Sequence, residues 1–143
     1  MIEISKSQEV DASVDSVWKI ISDAEEESKY WKVLKNVKIL SRKGNAVERE
    51  ATIKRGPMGE AKSVQTLVLD RDARSTILTL KKGPMLGTRK ITLSSIGSDK
   101  SRIDVSWKFE LKGIPSFAQG FAKDNISEVT EKALTRIAEK AVS

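Results

Sequence analysis

Arg49 is the residue with the most chemistry to offer. On a β-prone run it shares parity with Val47, Ala51 and Ile53, which aims a guanidinium among apolar neighbours. Arginine cannot discard its charge, so an inward Arg49 needs a carboxylate, a phosphate or water. It is therefore the candidate for fixing an anionic head group inside a cavity. Two alternatives stay open: a bulge that reverses the local parity, and a purely structural pairing with an interior acid. Gln65 offers a neutral hydrogen bond to the same cavity if Ser63, Gln65, Leu67 and Leu69 face inward. Val64, Thr66 and Val68 make an equally good opposite face, and the pattern leaves that register undecided. Trp107 lies in the alternation Ile103, Val105, Trp107, Phe109, Leu111. A buried indole needs a partner for its N–H, and in a cavity that partner can be a ligand or water.

Other chemistries are closed off. The chain has no cysteine and no histidine, which removes thiolate catalysis, disulfides, sulfur-ligated metals, the commonest neutral-pH base and the commonest zinc ligand. No metal site or cofactor is expected, and no catalytic residue is assigned. Glu48 and Glu50 fall on the outward parity beside Arg49, and Glu25 to Glu27 reads as a charge run on a short solvated helix. Lys81, Lys82 and Tyr30 converge on no common point.

These side chains must be held by a sheet and its cover. Polar residues Arg102 to Lys112 alternate with the apolar set around Trp107, so that strand has one dry and one wet face. Turn signals at Lys43-Gly44-Asn45, Gly56 to Gly59, Asp70 to Asp72, Gly83 to Gly87 and Gly97 to Lys100 divide residues 34–112 into six strands of an antiparallel meander. Before it come a first strand over residues 2–10, a helix capped near Ser13 and carrying Val14, Val17, Trp18 and Ile21, and a second helical turn or two ending at Tyr30-Trp31. After it, Gly113-Ile114-Pro115 opens one long amphipathic helix reaching Val142, with Phe117 near its start and Phe121, Ile126 and Val129 on the face expected to meet Val105, Trp107 and Phe109. With 143 residues, 38% hydrophobic and 32% charged, the chain reads as one domain over 1–143. It has no apolar run near the ~20 residues of a membrane span and no signal-peptide profile, so a cytoplasmic location is expected.

This order, with the opening Val10-Asp-Ala-Ser-Val-Asp-Ser-Val17-Trp18-Lys-Ile-Ile-Ser-Asp23, resembles the START/Bet v 1 (polyketide cyclase-like) superfamily over nearly the whole chain. The resemblance implies an α+β helix-grip fold, a curved seven-stranded antiparallel sheet in the order β-α-α-β6-α wrapped around the C-terminal helix. It also implies an interior cavity of the kind that holds lipids, quinones or polyketides in many relatives. It implies no particular reaction.

Alternate turns of a meander lie at one end, so the two Gly-Pro-Met turns share a rim with Gly113-Ile114-Pro115. Tyr30, Trp31, Met58, Met85 and Ile114 are the expected entrance residues. The methionines either plug the open end, gate a ligand or meet a partner. Lys54, Arg55, Lys62, Lys81, Lys82, Arg89, Lys90 and Lys112 flank the rim in a chain of net charge +6. They serve as edge protection, or as a collar for an anionic amphiphile or an anionic membrane surface. Nucleic acid is not expected, because the three tryptophans and three phenylalanines fall mostly at core positions. The leading expectation is a binding or transport module for a hydrophobic or amphipathic small molecule, with Arg49, Gln65, Trp107, Phe109, Phe117 and Phe121 around the cavity. A polyketide cyclase or dehydratase-like enzyme is the runner-up, and a protein-interaction module with a packed interior is the third reading.

Overall fold

The computed structural model describes residues 1–143. Strand β1 (Ile2–Val10) leads into helix α1 (Val14–Ile21), whose first turn is capped by the Ser13 hydroxyl accepting from the Ser16 N–H. Val17, Trp18 and Ile21 bury one face of α1. A single 3-10 turn, Glu27–Lys29, replaces the expected second helix. Strands β2 (Leu34–Lys43), β3 (Ala46–Lys54), β4 (Glu60–Asp70), β5 (Ser75–Lys82), β6 (Met85–Gly97) and β7 (Lys100–Leu111) follow, and α2 (Gln119–Val142) ends the chain. The seven strands form one antiparallel sheet in the order β1-β7-β6-β5-β4-β3-β2, with register shifts within β2. This is the α+β helix-grip architecture: the sheet's inner face carries the core and α2 lies across it.

Two boundaries differ from the expected ones, each for a backbone reason. Gly87 belongs to β6 instead of the preceding turn. It pairs with Phe109 at φ 150°, and a Cβ there would collide with the Lys108 carbonyl, so only glycine lets β6 and β7 approach so closely. The long helix begins at Gln119, later than Ile114. Gly113 is left-handed at φ 73° and Pro115 is extended, so the chain turns sharply and makes only a 3-10 turn, Ser116–Ala118, before α2.

The buried side chains of α2 are Thr130, Ala133, Leu134 and Ile137, none before the middle of the helix. From Thr130 on, one face is fixed to the core, whereas Ala122, Asn125, Ile126 and Val129 before it roof a cavity. Phe117 and Phe121, expected inside that cavity, are instead 83% and 79% exposed. Phe117 precedes α2 on the 3-10 turn, and Phe121, at 3.6 residues per turn, lies on the helix face opposite the buried Thr130 and Ile137, so Ile126 and Val129 alone of the expected face line the cavity.

Candidate functional site

A cavity of about 680 Å³ opens between the sheet and the first half of α2. Its mouth is formed by Met58, Met85 and Ile114, from the two Gly-Pro-Met turns and the β7-to-α2 junction, so the three connections meet at one end. Met58 is exposed there and Met85 is half-buried. Leu78, Leu80, Val129 and Ile126 supply apolar wall.

The inner wall holds charge. Arg49 is fully buried, on the inward parity with Val47 and Ala51. Its Nε donates to Gln65 Oε1 at 2.9 Å, its Nη1 to the Ala24 carbonyl at 3.1 Å, and its Nη2 to Glu27 Oε2 at 2.7 Å. Gln65 is inward with Ser63 and Leu67, which decides the register of β4, and its amide donates to Ser63 Oγ at 3.1 Å. Arg89 is equally buried and reaches the same carboxylate, Nη2 to Glu27 Oε1 at 2.7 Å and Nη1 to Oε2 at 3.3 Å. Its guanidinium lies 4.6 Å from the Trp31 ring centroid and 5.8 Å from that of Trp107, a cation held against two π faces.

Two expectations are overturned at this point. Glu27 does not sit on a solvated helix: the 3-10 turn points it into the interior, where it is 4% exposed. Arg89 does not flank the rim, because it shares the inward parity of Ile91 and Leu93 on β6. Burial alone would raise the Glu27 pKa, but the Coulombic field of Arg49 and Arg89 and their hydrogen bonds lower it to about 2. Glu27 is thus an anion at neutral pH, with both oxygens occupied. Two guanidinium charges against one carboxylate leave one positive charge at the wall, and neither Asp nor Glu lines the cavity. The Nε of Arg89 is buried without a hydrogen-bond partner.

A profile of the family described as polyketide cyclase / dehydrase and lipid transport matches residues 1–142. The chain belongs to that family. No curated protein matches the chain in sequence. Among solved structures, a Thermus thermophilus protein superposes with a TM-score of 0.85 at 15% identity, covering 99% of this chain and 97% of that one. A START superfamily protein from Mycobacterium smegmatis gives 0.81 at 19% identity, covering 96% and 97%. The Zhui aromatase/cyclase from a Streptomyces species gives 0.80 at 13%, covering 98% and 93%. At these identities the likeness is one of fold, and it agrees with the family assignment.

Within that frame the expected site residues divide. Arg49, Gln65 and Trp107 come together around Glu27 and Arg89, and Arg49, Gln65 and Trp107 line the cavity. The Trp107 indole is satisfied within the chain, its Nε1 donating to Thr130 Oγ1 at 3.0 Å while Thr130 donates on to the Ile126 carbonyl. Phe109 is a correction: it is wholly buried in the core, edge-on to Trp107, and is not part of the cavity wall. Trp31 lines the cavity from within, 3% exposed and edge-on to Trp107 at 6.0 Å, so it is an inner-wall residue and not a rim residue. Tyr30 lies outside the wall and holds Arg136 through its backbone carbonyl. Burial holds its hydroxyl above the usual range of ionisation. The collar is partly real: Lys54, Arg55 and Lys112 line the mouth, whereas Lys81 is tied to Glu48 on the outer face.

The signal for Arg89 was the same one that found Arg49, alternation with Ile91 and Leu93. Glu27 carried no local signal, since its neighbours Glu25 and Glu26 disguise it as part of a solvated run. Two inward arginines would have demanded a carboxylate, and that demand is the only route to Glu27 from sequence.

Proposed function

We propose that this protein binds a hydrophobic molecule carrying one anionic head group, with the body against the apolar wall and the head on the Arg49 and Arg89 pair. One observation carries the reading: two buried guanidiniums share a single carboxylate, leaving one positive charge at a cavity whose wall has no acidic residue. An excess positive charge that is out of water favours an incoming anion. Gln65 holds Arg49 in place, and Met58, Met85 and Ile114 border the path in. A cavity of about 680 Å³ is within the size range that encloses most of a drug-sized ligand, which favours this reading over an interaction module with a packed interior.

The test compares two probes with the same tail, dodecanoate and dodecanol. The acid binds about tenfold or more tightly, as expected for charge-assisted hydrogen bonds, and Arg89→Met removes most of that preference. Equal affinity for the two probes would overturn the head-group assignment. Native mass spectrometry with solvent extraction identifies any molecule that co-purifies.

A polyketide cyclase or dehydratase-like reaction is the second reading, favoured by the fold shared with an aromatase/cyclase. The arginine pair would then stabilise a developing enolate. It is the weaker reading because Glu27 is ionised and held at both oxygens, and Tyr30 lies outside the wall, which leaves the cavity without a poised proton carrier.

A further inference from the structure

The start of α2 presents the largest side chains that the fold fails to bury. Phe117 is 83% exposed and Phe121 is 79% exposed, one helical turn apart. Met58 and Met1 are exposed at the same end of the sheet, Met58 at the cavity mouth and Met1 beside Gln119, Gly120 and Lys123. Lone exposed apolar residues are ordinary, but four large ones at one end of the sheet, Met58 among them at the cavity mouth, are not. Lys54, Arg55, Lys112 and Lys123 lie at this end, none engaged in an ion pair; of the acids there, Glu3 is paired with Lys108 at 3.7 Å and Glu60 with Lys35 at 3.0 Å, which leaves Glu110 and Asp124 against the four cations.

We infer that this lip, formed by Phe117, Phe121, Met58 and Met1 within a ring of lysine and arginine, docks on the surface of an anionic lipid bilayer. Both rings stand largely in solvent and neither lines the cavity, which suits a soft surface that closes around each one and not a rigid partner. The surrounding positive charge matches anionic lipid headgroups. It argues against a second copy of this chain, because a two-fold contact through the lip would set like charges face to face. The helix start is also free to respond, since α2 buries no side chain before Thr130. Docking would set the mouth against the lipid, where an apolar ligand need not cross water. The docking itself is independent of what the cavity holds.

Co-sedimentation with vesicles of phosphatidylglycerol and phosphatidylcholine, against pure phosphatidylcholine, tests it. The parent protein partitions onto the anionic vesicles, and Phe117→Ser with Phe121→Ser lowers partitioning by about tenfold or more. Raising the salt toward 1 M weakens it, as the Debye length falls to about 3 Å. Both rings are solvent-exposed, so the double variant keeps the parent's melting temperature. It also keeps dodecanoate affinity in vesicle-free buffer, which separates a failure of docking from a failure of the cavity reading. No binding to anionic vesicles, equal binding by the double variant, or a solution dimer abolished by the same substitutions would each overturn the inference.

Discussion

Arg89 and Glu27 face each other almost end-on, Nη2 to Oε1 at 2.7 Å and Nη1 to Oε2 at 3.3 Å, so one carboxylate is gripped by both ends of a single guanidinium while Arg49 takes a share of Oε2. The network links four elements: the 3-10 turn after α1 supplies Glu27, β3 Arg49, β4 Gln65 and β6 Arg89. Any ligand that reaches the arginines meets charges already positioned by the sheet.

Glu27→Gln keeps the shape of the side chain and removes the only anion from the pair. Two buried cations are then uncompensated, and the loss is about 3–5 kcal/mol in urea unfolding at pH 7. Dodecanoate raises the melting temperature of this variant by more than it raises that of the parent, because the probe's carboxylate replaces the missing charge. An unchanged urea midpoint would show that the network carries no stability.

The same carboxylate predicts an acid limit. Its folded pKa is about 2 against an ordinary 4.5, so the folded state holds the proton less tightly than the unfolded state. The contribution is complete above about pH 4.5 and is lost as pH falls toward 2, with a size on the order of 3 kcal/mol. Urea midpoints measured from pH 6 to pH 2 fall through this window in the parent. The curve of Glu27→Gln is flatter there, and parallel curves would refute the assignment.

How much of this was legible follows from which forces are local. Alternation placed Arg49 inward on β3, and the turn signals placed three connections at one end, because strand parity and hairpin chemistry act over a few residues. Phe117 and Phe121 were read onto the buried face because the helical period was carried back to Ile114. The turn forced by Gly113 and Pro115 takes Phe117 off the helix, while Phe121 stays on α2 but on the face opposite the buried Thr130 and Ile137. Glu27 was hidden because its burial is decided by two arginines far away in the chain, a contact no local pattern encodes. The register of β4 was open in sequence and is decided by Arg49, whose Nε requires Gln65 on the inner face.

Gly87→Ala tests the close approach of β6 and β7. The added Cβ meets the Lys108 carbonyl beneath a backbone at φ 150°, so both steric contact and conformation oppose it. A loss of about 2–3 kcal/mol is expected. Gly44→Ala, also left-handed at φ 62° but with open space around it, separates the two effects by costing less. Equal losses would leave strand contact without a role.

Val129→Trp asks whether the cavity is a binding volume or leftover space. Val129 lies on the first half of α2, half-buried, and lines the cavity together with Trp107 and Met85. An indole there enters existing space of about 680 Å³ and does not overpack a filled core, so stability is held or rises as apolar surface is covered. Dodecanoate affinity falls by about tenfold or more, since indole and alkyl tail compete for the same wall. Binding of dodecanol falls by a similar factor, because the tail and not the head is displaced. Arg89→Met, in contrast, acts on the acid alone. Taken as a pair, the two variants resolve tail from head: one lowers both probes together, the other removes the difference between them. A Val129→Trp protein that folds normally and still binds dodecanoate with parent affinity would place the probe outside the cavity, and the arginine pair would then be a structural network alone.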